Sequence, residues 1–183
     1  TSAGAYLRST DVTTFTNTVG TSYSGVNFAD VPDNALTTDG AQSALPGATL
    51  NYAHSFTAGS GGSVSFSTAA VANPALAGWS EVLYRDANCN GVLDGAEGAS
   101  QLSGPTTVAA GELVCVLLRE FVPATAPNGA QNQVTLTASF SYTNASPALG
   151  STHTRSDLTT VGAPGSAGLT LVKSVDKATA LVQ

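Results

Sequence analysis

The chain has 183 residues, of which 42% are hydrophobic and 10% are charged. Six basic residues against twelve acidic ones give a net charge of -6. So few cations exclude a protein that neutralises a row of nucleic-acid phosphates. No apolar run is long enough to span a bilayer, and the length suits one large domain or one domain with extensions.

Apolar and polar residues alternate through the middle of the chain, which is typical of strands with one buried face. The segment ATLNYAHSFT, residues 48–57, predicts an inward set of Leu50, Tyr52, His54 and Phe56. SVSFST, residues 63–68, places Val64 and Phe66 on one face. QVTLTASFSY, residues 133–142, gives the clearest inward set: Val134, Leu136, Ala138, Phe140 and Tyr142.

Two further strands and one helical turn complete this part of the chain. SEVLYRD, residues 80–86, reads as a strand, and ELVCVLLREFV, residues 112–122, is apolar on both faces and predicts a central strand. A short helical turn is expected at NPALAGW, residues 73–79. Many short strands with Gly, Pro and Asn turns between them indicate an all-β sandwich or barrel.

The two ends are expected to be extensions of one central domain. Residues 1–33 carry weaker strand patterns and form an N-terminal strand extension, whereas residues 34–163 form the sandwich. Residues 164–183 are predicted to be a linker and a C-terminal assembly strand, because the glycine-rich GAPGSAG precedes an alternating segment. The inward residues of that strand are Leu169, Leu171 and Val175.

Cys89 and Cys115 are the two cysteines of the chain. An even number of cysteines in a chain rich in Thr and poor in Lys favours one disulfide and an oxidising compartment. Two buried free thiols are the alternative. The N-terminal TSAGAY also resembles the product of cleavage at a small-residue site, which favours secretion.

The stretch YRDANCNGVLDG, residues 84–95, contains the spacing of a calcium-binding loop. Oxygen ligands fall at the first, third, fifth, seventh, ninth and twelfth positions, and a glycine, Gly91, falls at the sixth. The predicted calcium ligands are Asp86, Asn88, Asn90, the carbonyl of Val92, Asp94 and Glu97. No amphipathic helices flank the loop, so calcium would stiffen a β-domain. An Asn- and Asp-rich turn without an ion is the alternative.

Four segments in the same order resemble a bacterial cell-surface repeat family, domain of unknown function eleven. They are ALPGATLNYAHSFTAGS, YRDANCNGVLDGAEG, VAAGELVCVLLREFVPATAPNG and VTLTASFSY, and LTLVKSVDK resembles the start of the next repeat. The resemblance covers residues 34–175 and implies an immunoglobulin-like antiparallel β-sandwich in an extracellular bacterial protein. AGSGG departs from the family's usual TNTG turn, and the second repeat stops after its first strand.

Other chemistry-bearing side chains favour structural roles. His54 is expected to be a hydrogen-bonded core histidine, and His153 is expected to be exposed. Trp79, Tyr84 and Tyr142 could form a sugar-stacking platform, but they are more often core residues in a sandwich of this size. The two lysines, Lys173 and Lys177, make a self-formed isopeptide bond a remote alternative. No catalytic constellation is visible, so the chain is predicted not to be an enzyme.

Taken together, these patterns predict a secreted structural subunit of a bacterial surface filament or assembly. The unpartnered C-terminal strand would enter a neighbouring copy, giving a head-to-tail homopolymer stiffened by calcium. The alternative is a monomeric surface adhesin, a module that binds carbohydrate, protein or another surface or matrix ligand. An exposed row of aromatic side chains on one sheet would support the adhesin, and buried aromatics would oppose it.

Overall fold

The computed structural model of the chain describes residues 6–8, 16, 18–22, 30–143 and 148–162. These residues form the following strands: β1 Tyr6–Arg8, β2 Asp30–Pro32, β3 Ala35–Leu36, β4 Gly40–Ala44, β5 Thr49–Thr57, β6 Gly62–Asn73, β7 Ser80–Asp86, β8 Thr106–Val108, β9 Leu113–Phe121, β10 Gln131–Tyr142 and β11 Gly150–Val161. One short 3-10 helix, Glu97–Ala99, accompanies them in this part of the chain.

The strands build two packed sheets. One sheet has five strands in the order β4-β11-β10-β6-β8, and the other has four in the order β3-β5-β9-β7. A separate ribbon pairs β1 with β2. All pairings are antiparallel except that of β4 with β11, which is parallel. The predicted fold class, an all-β immunoglobulin-like sandwich, is confirmed. No helix within the described ranges has the length and apolar character needed to cross a membrane.

The predicted inward faces form the core between the sheets. Alternate residues of β10, from Val134 to Tyr142, are all buried, as are alternate residues of β5 from Tyr52 to Phe56. Phe140 lies at the centre of an aromatic group, stacked on Phe56 with ring centroids 5.7 Å apart and edge-on to Tyr142 at 4.7 Å. Burial of this apolar surface is the main favourable term in folding.

The predicted central strand is β9, which pairs with β5 on one side and β7 on the other. Its residues from Val114 to Leu118 are all buried, so both of its faces are covered. Val116 and Leu118 face the other sheet. Cys115 lies on the opposite face, where it forms a disulfide with Cys89. The loop after β7 therefore lies against the outer face of the four-stranded sheet.

The predicted helical turn at residues 73–79 is wrong. Asn73 ends β6 and is joined to Pro74 by a cis peptide bond, and a turn leads from there to β7. Gly78 in this turn has a φ of 101°, which belongs to the left-handed region and not to a right-handed helix. Leu76 and Trp79 of this segment are partly buried, and they pack against a small second apolar cluster.

The predicted N-terminal extension is represented by β1 and β2, and Val31 of β2 is buried against the main core. Most of the other residues of this extension fall outside the described residues. Residues 164–183, with Leu169, Leu171 and Val175, also lie outside them. The division into an extension, a sandwich and an assembly strand therefore stays a prediction.

Leu136 tests the energetic role of the core, because its side chain is fully buried at the centre of β10. We expect Leu136→Ala to lower the free energy of unfolding by about 2–5 kcal/mol, since the deletion removes buried methyl groups and leaves a cavity. Leu45→Ala is the control, because Leu45 is 57% exposed, and its effect should stay within about 0.5 kcal/mol. Urea unfolding measures both, and equal effects would contradict this assignment of the core.

Candidate metal centre and buried polar network

The predicted calcium loop is held at both ends by regular structure. Asp86 is the last residue of β7 and lies opposite Cys115 of β9 in the strand register. Glu97 begins the 3-10 helix that follows the loop. The absence of flanking amphipathic helices agrees with the sequence-based expectation, because a strand enters the loop and a three-residue helix leaves it.

The two carboxylates at the loop ends accept hydrogen bonds from the loop's own backbone. Asp86 accepts the N–H groups of Asn90 at 3.2 Å and Gly91 at 2.9 Å. Glu97 accepts the N–H groups of Ala87 at 2.8 Å and Asp94 at 3.2 Å. Both acids are buried, with 2% of Asp86 and 8% of Glu97 exposed. The loop backbone therefore surrounds the carboxylates of Asp86 and Glu97, which point into the loop and not into solvent.

The two asparagines link the middle of the loop. Asn88 Oδ1 accepts the N–H of Asn90 at 3.0 Å, and Asn90 Oδ1 accepts the N–H of Val92 at 2.8 Å. Their amide nitrogens point to the same acid: Asn90 Nδ2 is 2.8 Å from Asp94 Oδ2, and Asn88 Nδ2 is 3.5 Å from both Asp94 oxygens. All five predicted ligand side chains thus belong to one hydrogen-bonded loop.

The backbone of the loop has left-handed φ values at Cys89, Gly91 and Gly95. Gly91 has a φ of +76°, as its place at the sixth position predicts. A Cβ added to Gly91 would lie 3.5 Å from the Cβ of Ala53, which is an ordinary van der Waals distance. The conformation and not the available space therefore requires glycine. Cys89 has a φ of 57°, which is uncommon for a residue with a side chain. Its disulfide to Cys115 is present as predicted and ties this turn to β9.

The chemistry of the donors suits a hard cation. Asp86, Asp94 and Glu97 supply carboxylates, and no lysine or arginine within the described residues forms an ion pair with any of them. Over the same residues, no group of three or more His, Cys, Asp or Glu side chains is placed to hold a metal ion by itself. A cation in this loop would therefore also need the amide oxygens of the two asparagines and a backbone carbonyl, the mixed oxygen set that Ca²⁺ takes in proteins.

A second polar cluster lies in the interior between the sheets. We call it the interlayer network, and its members are His54 and Tyr52 of β5, Glu120 of β9, Asn132 of β10, and Asp157 and Thr159 of β11. All six residues are buried. Because buried polar groups cost free energy unless they are hydrogen-bonded, their partners decide how the two sheets fit together.

His54 is a core histidine with partners on both ring nitrogens, as its place on an apolar strand face predicts. Nε2 lies 2.8 Å from Asp157 Oδ2, and Nδ1 lies 3.1 Å from the carbonyl oxygen of Thr37. Two acceptors can both be satisfied only when both nitrogens carry protons. Burial lowers the pKa of His54, but the hydrogen bond and charge of Asp157 outweigh it, so the pKa is raised above its usual value.

The other four members bridge the sheets. The Tyr52 hydroxyl lies 2.7 Å from Thr159 Oγ1, and Thr159 donates to Glu120 through a short contact. Asn132 Nδ2 donates to Glu120 Oε1 at 2.7 Å. It also donates to Glu81 Oε1 at 3.1 Å. Burial raises the pKa of Tyr52 to about 12, so the phenol stays a hydroxyl at neutral pH.

None of the six members of the interlayer network was predicted as a site residue, since His54 and Tyr52 were expected only to be core residues. The sequence analysis did not single out the other four: Glu120, Asn132, Asp157 and Thr159. One signal was available in the sequence. Glu120 places an acid in the apolar run of β9, where a lone buried carboxylate needs partners. Strands β10 and β11 are rich in hydroxyl and amide side chains. Their local sequence therefore does not show that Asn132, Asp157 and Thr159 face inward while neighbouring polar residues face outward.

The structure corrects one of the remaining expectations and resolves another. His153 is not exposed: its side chain is 21% exposed, and Nε2 lies 3.3 Å from Asp33 Oδ1 in an ion-pair contact. Tyr84 and Tyr142 are buried and Trp79 is partly buried, so these aromatics belong to the packing and form no stacking platform. No aromatic side chain is among the large exposed hydrophobic residues of the described chain.

Comparison with known proteins identifies no family for this chain. No family model matches it, so the resemblance to domain of unknown function eleven stays a prediction. No curated protein matches either. Among solved structures, it is similar to the VesB protease of Vibrio cholerae, with 15% identity and a TM-score of 0.39. It is also similar to a family 123 glycoside hydrolase from Clostridium perfringens that acts on glycolipid glycans, with 13% identity and a TM-score of 0.43.

A third similar structure is an ASH or PapD-like domain of human CEP192, with 8% identity and a TM-score of 0.42. The alignment covers 80% of this chain and 96% of that domain. The alignment with the protease covers 69% of this chain and 31% of the protease. The alignment with the glycoside hydrolase covers 66% of this chain and 22% of the hydrolase. The chain therefore spans less than a third of either bacterial enzyme.

These comparisons correct the prediction that the chain is not an enzyme. Two of the similar structures are a protease and a glycoside hydrolase, which contradicts a prediction based only on the lack of a recognisable catalytic motif. The prediction of a non-enzymatic protein is therefore withdrawn. With identities of 15% and 13%, the likeness assigns neither activity to this chain.

The His54–Asp157 pair predicts a specific dependence of stability on pH. Because the folded pKa of His54 is raised above 6.5, the pair contributes fully below that pH, and its contribution is lost as pH rises through the folded pKa. We expect the urea midpoint to fall as pH increases above 6.5. In His54→Gln this part of the pH dependence should disappear, whereas the control His153→Gln should keep it. The same slope in both variants would show that His54 is not the responsible group.

Proposed function

We propose that this chain is a structural subunit of an extracellular bacterial assembly in which copies join by strand donation. Calcium in the loop from Asp86 to Glu97 stiffens the subunit. The observation that carries the proposal is the outer edge of β6, defined as residues 65–73. This edge has the properties of a strand acceptor.

The β6 edge has no partner strand among the described residues. Strand β6 runs from Gly62 to Asn73 and pairs along its whole length with β10. On its other side, β8 pairs only with Gly62, Ser63 and Val64. The backbone N–H and C=O groups on that side of residues 65–73 are therefore available to a further strand.

The β6 edge also lacks the features that usually protect an exposed strand. Its sequence, SFSTAAVAN, has no charged residue and no proline. Natural sheets discourage edge-to-edge pairing with lysine, proline, bulges or very short edge strands. Val71 projects from this edge with 73% of its surface exposed. An added strand would cover this side chain and pair with the free backbone groups.

The proposed donor is the predicted assembly strand that carries Leu169, Leu171 and Val175. Its alternating pattern suits addition to a sheet edge, where main-chain hydrogen bonds give affinity and alternate side chains give specificity. A donor and an acceptor on different surfaces make a heterologous contact, which produces an open filament unless the rotation closes a ring. In this proposal the glycine-rich residues 162–168 serve as the linker to the donor strand.

Calcium would act on the same subunit as a brace. The proposed ligands are Asp86, Asn88, Asn90, the carbonyl of Val92, Asp94 and Glu97. An ion bound to them would compensate three carboxylates and hold the loop against β9, together with the disulfide. The disulfide itself fits a secreted protein, because disulfides persist in oxidising compartments.

The alternative is a monomeric surface adhesin. Its expected sign, an exposed row of aromatic side chains on one sheet, is missing from the described residues, where Tyr84 and Tyr142 are buried. A β6 edge without charge or proline favours the assembling subunit over the adhesin.

Calcium removal tests whether the ion stabilises the folded subunit. We expect the chelated protein to keep its fold but to melt at a lower temperature, because an ion that binds only the folded state stabilises it by about 2.7 kcal/mol at 100 times its Kd. Calorimetric titration should show one calcium site. Glu97→Gln should weaken binding, whereas the control Glu112→Gln, outside the loop, should not. Identical melting with calcium and with chelator would refute the calcium proposal.

Two substitutions in the 183-residue chain test strand donation. We expect Val71→Lys to prevent assembly by placing a charge on the acceptor edge, and Leu171→Asp to prevent it by spoiling the donor strand. Leu45→Lys is the matched control, because Leu45 is 57% exposed and lies outside the β6 edge. Sedimentation and electron microscopy measure polymer length. Polymers that persist in both variants, or wild-type protein that is monomeric at every concentration, would contradict the proposal.

A further inference from the structure

The interlayer network contains three groups arranged as a nucleophile, an electrophile and a proton carrier. We propose that Thr159 and Asn132 join in an ester bond that the chain forms by itself, with Glu120 transferring the proton. This inference is independent of the proposed assembly and of calcium.

The strand register places the two reacting residues side by side. Asn132 of β10 and Thr159 of β11 are directly opposite each other in an antiparallel pair, so both side chains leave the same face of the sheet. Side chains at such positions have Cβ atoms about 4.5–5.5 Å apart. Both residues are fully buried. A hydroxyl and an amide are thereby held together in a site without bulk water, which favours reaction through proximity.

Glu120 contacts both partners from the opposite sheet. One carboxyl oxygen, Oε2, accepts the hydroxyl of Thr159, and the other, Oε1, lies 2.7 Å from Nδ2 of Asn132. A single carboxyl group therefore touches the proton that must leave the nucleophile and the nitrogen that must receive one. This is the geometry required of a general acid–base group.

The surroundings of Glu120 raise the pKa of its carboxyl group. Burial raises the pKa of Glu120, and the charges of Glu81 and Asp157 raise it further, against the hydrogen bonds from Thr159 and Asn132, which lower it. Glu81 lies directly opposite Glu120 in the strand register, so two like charges would otherwise be adjacent. A carboxyl group with a raised pKa is a stronger base than an ordinary one, so Glu120 is suited to take the hydroxyl proton of Thr159 and then pass a proton to Nδ2 of Asn132.

The proposed reaction balances without an outside reagent. Thr159 Oγ1 attacks Cγ of Asn132 and forms the new C–O bond, while its proton passes to Glu120. The Cγ–Nδ2 bond breaks, and the nitrogen takes a proton from Glu120 and leaves as ammonia. Glu120 ends in its starting state, and no group is oxidised or reduced. The product is one ester and one molecule of ammonia.

One buried polar atom of the proposed electrophile lacks a hydrogen-bond partner. Asn132 Oδ1 is buried and has no hydrogen-bond partner among the described residues. A buried acceptor without a donor is costly, and in native structures it often marks a reactive or strained site. An ester carbonyl is a weaker hydrogen-bond acceptor than an amide carbonyl, so the reaction would reduce that cost.

Intact mass spectrometry of the disulfide-bonded 183-residue protein tests the proposal. We expect a mass below that of the sequence by one ammonia, and a proteolytic fragment in which the peptides of Asn132 and Thr159 are joined. Thr159→Val and Glu120→Gln, both close in shape to the native residues, should restore the full sequence mass. Thr160→Val is the matched control on the same strand and should keep the deficit.

Three results would overturn the inference. The first is a wild-type mass equal to that of the sequence with its disulfide. The second is a deficit of one water, which would make Glu120 and not Asn132 the electrophile. The third is an ammonia deficit that persists in Thr159→Val, which would indicate cyclisation of an asparagine on its own backbone. Alkaline hydrolysis gives a further check, because it should separate the joined peptides and leave an aspartate at position 132.

Discussion

The pairing of β9 on both sides is the constraint on which the rest of this structure depends. Its register with β5 and β7 places Cys115 between Ser55 and Asp86, and Glu120 between Leu50 and Glu81. The outward side chain of Cys115 anchors the loop after β7, and the inward side chain of Glu120 reaches the other sheet. One strand thereby determines the place of the candidate metal loop and of the interlayer network.

The interlayer network reduces the ways in which the two sheets can pack. Apolar side chains can repack when two sheets shift slightly relative to each other. A hydrogen bond, in contrast, is lost when its donor and acceptor move apart by about 1 Å or less. His54 reaches Asp157, and Tyr52 reaches Thr159, from one sheet to the other. A shift of one residue in β11 would separate both pairs and leave buried polar groups without partners. The network therefore selects one register for the sandwich, in addition to any chemistry that it performs.

In the proposed assembly, strand addition and stiffening by calcium would involve different parts of the same sandwich. The β6 edge belongs to the five-stranded sheet, and the candidate metal loop lies beside the four-stranded sheet. A strand could therefore be added to one sheet while the ion and the disulfide hold the other. In the proposed subunit, the contact between copies and the calcium site within each copy would therefore not compete for the same surface.

Local patterns in the sequence determined the strands, the inward faces and the calcium spacing, because each depends on residues that are neighbours in the chain. The period of two in residues 133–142 was sufficient to identify the buried face of β10, whereas the spacing from Asp86 to Glu97 predicts a calcium loop. Only the tertiary structure decided the strand order, the open edge of β6 and the meeting of Glu120, Asn132 and Thr159. These features join residues far apart in the chain, and pairing between strands that the sequence separates has no local signal. The wrong prediction of a helical turn at residues 73–79 has the same cause, because Leu76 and Trp79 pack there against residues that are distant in the chain.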